Sequence, residues 1–308
     1  MKYKSDKNYS HGDERKIGVL LVNLGTPDEP TVKSVKSYLK EFLLDPDVID
    51  IPAPLRHLLV RGIILRTRPK KIAPRYRSIW MEEGSPLRVY TQRMAAALEL
   101  SLDDVECEVG MRYGNPSIRS GLEKLKKNGV EELLLAPLFP HHAQATTESS
   151  LKHAHKQLKE MNWEPSILEL PHFPTNPAFI EPLAQSIKPH LLGEAHLLFS
   201  YHGLPISHVK RSDSSGKHCQ QVNNCCTLDV DANSMCYAHH CMLTTLCVVG
   251  ALGIGEENWS ISYQSRLGPA KWLKPSTTEM VEQLAEKGKK NVVIVSPAFL
   301  ADGLETLE

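Results

Sequence analysis

The chain carries no excess of charge of either sign: 36 Lys and Arg stand against 36 Asp and Glu. That balance supplies no basic surface for nucleic acid, and no acidic tail is present. Long hydrophobic runs are also missing. No stretch approaches the roughly 18 apolar residues needed to span a membrane. Residues 1–16 are polar and charged, without the apolar core of a signal peptide. Export is therefore not expected, and the chain reads as cytoplasmic. Cysteine is scarce outside one segment: of seven, only Cys107 lies outside 219–247. In a cytoplasmic protein such a cluster points to a metal site rather than a disulfide framework.

What the chain does have is alternation. At 308 residues it is too long for one small core and suits two domains of roughly 150 residues. Short apolar runs at 17–22, 108–111, 133–138, 167–170, 196–200, 261–263 and 292–295 each read as a buried parallel strand. Between them apolar residues recur at helical spacing: Val32, Val35, Leu39, Phe42 and Leu43; Leu122 and Leu125; Met280, Val281 and Leu284. Strand–helix alternation implies an α/β fold of parallel sheets with helices on both faces. Ligands of such sheets bind beyond the carboxyl ends of strands. A weak internal repeat supports two similar halves. Gly129 leads into a strand and Pro137-Leu138-Phe139; Gly288 leads into a strand and Pro297-Ala298-Phe299. The proline-rich stretch 171–177 marks a boundary.

Three strand ends carry candidate chemistry. In Ser200-Tyr201-His202-Gly203-Leu204-Pro205 a buried strand stops at a histidine. Gly203 permits a sharp turn, and Pro205 can open a helix. His202 is either a structural histidine or a neutral imidazole that takes a proton or binds a divalent metal. After the last strand, Asp302, Glu305 and Glu308 are spaced by three, as on one helical face. They either complement a helix dipole or pass cations and protons inward. The third end holds His141 and His142, which as neighbours face different ways, so at most one enters the same pocket. Residues 51–68 differ from the rest: Leu55, Leu58, Leu59, Ile63 and Ile64 form an apolar stripe flanked by Arg56, Arg61, Arg66 and Arg68. This is a core-facing helix or a lip for a membrane surface or a greasy substrate. Cys219, Cys225, Cys226, Cys236 and Cys241 lie among Asn, Asp and Ser. An iron–sulfur cluster, structural zinc and a free-thiol loop all remain open from their spacing.

Several motifs together resemble the ferrochelatase family. They are Asn23-Leu24-Gly25-Thr26-Pro27, Gly84-Ser85-Pro86-Leu87, Gly110-Met111-Arg112-Tyr113-Gly114 and the segment around His202. Tyr263-Gln264-Ser265-Arg266-Leu267-Gly268-Pro269 with Trp272-Leu273, and Asp302-Gly303-Leu304-Glu305-Thr306-Leu307, complete the series. They run in order from about Lys16 to Glu308. The asparagine-containing first motif resembles protoporphyrin-using members more than coproporphyrin-using ones. The resemblance implies insertion of Fe2+, as substrate, into protoporphyrin IX. It implies two Rossmann-like domains, 15–172 with the lip at 51–68 and 173–296 with a cysteine insert at 212–241, around an active cleft. Residues 297–308 would begin a C-terminal helix returning to the first domain. The family's invariant histidine falls on His202, its catalytic glutamate on Glu305 with Asp302 assisting, and both His202 and Glu305 are expected at the iron. Its porphyrin-lining tryptophan falls on Trp272. Ser265, Gln264, Tyr113, Leu59 and Ile63 stand with it as expected porphyrin contacts. Members that rest on the membrane do so on the lip.

Two departures stand out. Gly303 replaces a His or Cys of many members, and His142 replaces a Tyr. The chain also ends within the helix after Glu305, where members usually continue, so a truncated sequence is expected. A subset of the family holds a 2Fe-2S cluster within this region. By that resemblance Cys219, Cys236 and Cys241 are the expected ligands, with Cys226 ahead of Cys225 for the fourth. The metal insertion is not a redox step, so a role in stability or redox sensing is expected for the cluster. Two rival readings are a chelatase for cobalt or nickel in a more polar tetrapyrrole, and a non-catalytic iron–sulfur sensor that binds porphyrin or haem.

Overall fold

The computed structural model describes residues 15–266 and 268–308. The polar residues 1–14, and Leu267 of the motif after Tyr263, lie outside the described residues. Each of the seven apolar runs carries a strand: β1 Ile17–Thr26, β2 Val105–Gly114, β3 Glu132–Pro137, β4 Ser166–Glu169, β5 His196–His202, β6 Trp259–Gln264 and β7 Val292–Val295. Four form one sheet in the order β2-β1-β3-β4, and three form a second in the order β6-β5-β7. Every pairing is parallel. The α/β expectation holds.

The chain divides into two compact units. Among the described residues, the first comprises 15–138, Gln144–Pro171 and Ala301–Glu308; the second comprises Phe139–Ala143, 172–266 and 268–300. The short segment Phe139–Ala143 packs with the second unit, although it follows directly on a strand of the first.

The first unit is built around β1, whose Leu20 and Val22 meet Leu133 and Leu135 of β3 and the helix Ile118–Lys127. That helix starts where the Ser117 hydroxyl accepts the Ser120 N–H, and its Ile118, Leu122 and Leu125 are fully buried. Each such side chain contributes about 1.5–3 kcal/mol of apolar burial. The second unit is built around β5, where Leu197, Phe199 and Tyr201 pack against the helix Tyr237–Leu252. Two strands differ from the reading of all seven as buried. Ile167 and Leu168 of β4 are exposed, and Ile294 of β7 is 53% exposed. Both strands lie at sheet edges, where a neighbour is missing on one side. Among the described residues no helix is long and apolar enough to cross a membrane.

Candidate active site

In the second unit, β5 is the central strand and His202 is its last residue. The His202 Nδ1–H donates to the carbonyl of Gly203 at 2.7 Å. This leaves Nε2 as the nitrogen with the lone pair. Phe299 lies edge-on, 6.2 Å between ring centres. The chain then turns past β6 at very close range: the Gly203 N–H donates to the Gln264 carbonyl at 2.6 Å. A Cβ on Gly203 would meet that oxygen at 2.9 Å and Trp272 Cε3 at 3.4 Å. Only glycine permits this approach. Pro205 pairs antiparallel with Trp272, and the Leu273 N–H donates to the Leu204 carbonyl at 3.0 Å. His202, Gln264, Ser265 and Trp272 are thereby gathered at one strand end. Ser265 holds a positive φ of 63° and is exposed. Gln264 Nε2 is shielded from solvent and has no hydrogen-bond partner, an unusual state for a donor.

His141 and His142 point apart. His141 is buried among Phe179, Tyr201 and Tyr237, and its Nε2–H donates to Thr244, whose hydroxyl in turn donates to the Pro174 carbonyl. Burial, then the charge of His240, push its pKa down to about 3. His142 donates from Nδ1 to the Met235 carbonyl at 3.1 Å, at the end of the cysteine insert.

In the first unit, the terminal helix is Leu304–Leu307. Asp302 therefore precedes the helix, and the three carboxylates do not form one helical face. Asp302 accepts the Thr306 hydroxyl at 2.9 Å, and Glu308 pairs with Arg75 at 3.3 Å. Glu305 stands apart from those ties. Its charge reaches the buried phenols of Tyr76 and Tyr38, whose pKa values are raised mainly by burial.

Tyr113, expected at the porphyrin, is fully buried. Its hydroxyl donates to Asp45 at 2.7 Å, as does that of Ser149 at 2.8 Å, and Arg112 pairs with the same carboxylate. Burial would raise the Asp45 pKa, but the hydrogen bonds from Tyr113, the Asp47 N–H and Ser149, with the charge of Arg112, hold it low. This network opens on a polar pocket of about 630 Å³ that also includes Glu41, Asp47, Lys152 and His153. Sequence reading missed Asp45. Its only local signal was the Asp45-Pro46-Asp47 turn, because its partners lie 67 to 104 residues away.

The lip consists of the helix Ala53–Leu59, a π-helical turn Val60–Ile64 and the helix Leu65–Ile79. Val60 and Ile64 face inward and Leu59 is half-buried. Leu55, Leu58 and Ile63 face solvent at 57, 69 and 61% exposure. Arg56 is buried and donates to the Ile49 and Ile51 carbonyls.

In the insert, Cys219, Cys225 and Cys236 line one small cavity with Val209 and Asp213. Cys226 packs on the same cluster, its Sγ 3.8 Å from that of Cys225. Burial raises the thiol of Cys219 to about 11 and that of Cys226 to about 12. Cys241 lies instead in the main core with Tyr201 and Tyr237. Among the described residues, no group of three or more His, Cys, Asp or Glu side chains stands ready to hold a metal ion. Four thiols in apolar surroundings nevertheless match the donor set of an iron–sulfur centre.

The family model for ferrochelatase matches residues 16–308. A ferrochelatase of Azotobacter vinelandii is 41% identical over 292 residues, covering 94% of this chain and 86% of that protein. One from Bdellovibrio bacteriovorus is 40% identical over 296 residues, covering 95% and 87%. One from Pseudomonas syringae pv. tomato is 40% identical over 291 residues, covering 94% and 85%. The chain belongs to the ferrochelatase family.

Proposed function

We propose that His202 is the base of the metal insertion and that Glu305 serves the iron and the departing protons. As a ferrochelatase the enzyme inserts Fe2+ into protoporphyrin IX to make protohaem, a lyase reaction of haem synthesis. The free porphyrin carries two inner N–H groups, and both protons leave as iron enters. Binding a buckled ring better than a flat one lowers the barrier. The observation that carries the assignment is the His202 tautomer: with Nδ1–H held by Gly203, Nε2 is the atom that can accept a proton. Gln264, Ser265 and Trp272 support a porphyrin edge at the same strand end. In the first unit, Asp302 is held by the Thr306 hydroxyl and Glu308 by Arg75, and neither tie involves Glu305, which favours Glu305 over both. Leu59 and Ile63 would meet the porphyrin's apolar edge. Tyr113 would act through Asp45 and Arg112.

Four thiols of the insert would hold a 2Fe-2S cluster. Such a centre supplies one-electron redox capacity, which the insertion itself does not use. The shared cavity favours Cys219, Cys225 and Cys236 as ligands, and Cys226, packed on the same apolar cluster, is the preferred fourth, with Cys241 as the alternative. The exposed Leu55, Leu58 and Ile63 beside Arg61 and Arg66 favour a peripheral membrane contact on the cytoplasmic side.

Purified protein given Fe2+ and protoporphyrin without oxygen should form haem, read by its absorption. His202→Ala should lower the rate by about 100-fold or more. An unchanged rate refutes the assignment of the base. Preference for Co2+ or Ni2+ with a more polar tetrapyrrole, or porphyrin binding without turnover, would favour the rival readings.

A further inference from the structure

We infer that Leu204 and Leu273 are positioning residues that couple the cysteine pocket to the porphyrin side of the second unit. The inference rests on the reading of the four cysteines as a ligand set.

The loop after His202 and the segment around Trp272 form one small antiparallel ladder. The Leu273 N–H donates to the Leu204 carbonyl at 3.0 Å, and the Ile206 N–H donates to the Lys271 carbonyl at 2.8 Å. Pro205 and Trp272 face each other between these bonds. A shift of either segment is therefore carried to the other. His202 stands two residues before Leu204, and Trp272 one residue before Leu273.

The two leucine side chains sit where two apolar clusters meet. On one side is the main core with Tyr201 and Tyr237. On the other is the cluster of Val209, Cys219, Cys236 and Ala238, with Cys226 beside it. Leu204 and Leu273 pack against both. The insert has little regular structure of its own and is shaped by side chains bonding to its backbone. Asp213 accepts the N–H groups of His218 and Cys219, each at 2.8 Å. His218 and Asn233 donate to the Cys225 carbonyl, and His239 donates to that of Cys226. These ties fix the outer wall of the cavity. Its space is only about 10 Å³, close to the minimum for one water. A group larger than that must displace a wall. The polar outer wall is bonded, while on the apolar side Val209, Cys219 and Cys236 line the cavity, and the side chains of Leu204 and Leu273 back that cluster by packing. Such packing is dense and transmits displacement. Filling the pocket thus repositions the ladder that carries Trp272 and adjoins His202.

Coupling of this kind is reciprocal. If the filled pocket favours one arrangement of the ladder, porphyrin bound to that arrangement must hold the cysteine-bound iron more tightly. The test uses the full chain as purified, with N-methylprotoporphyrin, a ring already buckled at one nitrogen, and no added Fe2+. The rate at which a strong chelator strips iron from the cysteines is followed by absorbance. Porphyrin should slow stripping by about 5-fold or more in the wild type. The protection should largely vanish in Leu204→Ala and Leu273→Ala, although both still bind porphyrin. Leu204→Val and Leu273→Val, milder changes that preserve folding, should give intermediate protection. A purely structural role would speed stripping equally with and without porphyrin. Absence of protection in the wild type, or full protection in both alanine variants, overturns the inference. A second readout separates this outcome from failure of the ligand assignment. If the purified protein holds no iron and sulfide, the ligand reading fails. Modification of Cys225 and Cys226 by a disulfide reagent, with and without porphyrin, then decides the coupling by the same comparison: porphyrin-dependent protection that the leucine substitutions abolish upholds it, and its absence overturns it.

Discussion

Replacing His141 by Phe should remove a defined part of the acid sensitivity of this protein. In the folded chain His141 is almost fully buried, and its pKa is pushed down to about 3 by burial and then by His240. Its Nδ1 has no partner, so no neighbouring group compensates a charge there. In the unfolded chain the same ring titrates near 6.5. The folded value is depressed, so between about 3 and 6.5 the unfolded state binds the extra proton. Stability from this residue is complete above pH 7 and declines as the pH falls through 6.5. At pH 5 the loss is about 2 kcal/mol relative to pH 8, from about 1.5 units at 1.36 kcal/mol each. Phe should fit the aromatic surroundings, and Thr244 keeps its bond to Pro174 without the histidine. Urea unfolding of wild type and His141→Phe at pH 8 and pH 5 measures the difference directly. The wild type should lose about 2 kcal/mol more than the variant over that interval. Equal losses would refute the claim that His141 stays neutral in the fold.

Asp45→Asn should destabilise the first unit by about 3 kcal/mol, because it leaves the half-buried Arg112 without its counter-charge; denaturant midpoints at neutral pH measure this, and a change under 1 kcal/mol would show the pair to be well solvated. Leu55→Glu combined with Leu58→Glu should weaken binding to anionic phospholipid vesicles by about 10-fold or more, since each exposed leucine offers about 1.5–3 kcal/mol of burial; co-sedimentation unchanged by the substitutions would remove the lip from any membrane role. Cys225→Ser should abolish the visible absorption of the iron–sulfur centre while Cys241→Ser retains it, and the opposite pattern, or a colourless wild type with stoichiometric zinc, would reject the proposed ligand set.

The strands were legible because buried parallel strands are written as continuous apolar runs. Which of them lie at sheet edges was not, since β4 reads Ser-Ile-Leu-Glu much as a central strand would. The place of His202 at a strand end was legible for a local reason: a strand, a histidine and a glycine adjoin in sequence. The carboxylates misled because a spacing of three implies a helical face only where the helix has begun, and it begins at Leu304. Cys236 caps the helix Tyr237–Leu252, and Cys241 lies five residues on. At 3.6 residues per turn that is about 140° around the axis, so Cys241 packs with Tyr201 in the main core while staying within electrostatic reach of Cys236 and Cys226. The Asp45 network was hidden because its members are gathered by the sheet and have no common motif.

The bond from His202 to Gly203 has one further consequence. The acceptor is a main-chain carbonyl of the very next residue, which no amino-acid substitution can delete. The tautomer that the proposed base requires is thus set by the backbone and needs no partner side chain. Substitutions in the cysteine segment further along the chain therefore leave this bond in place.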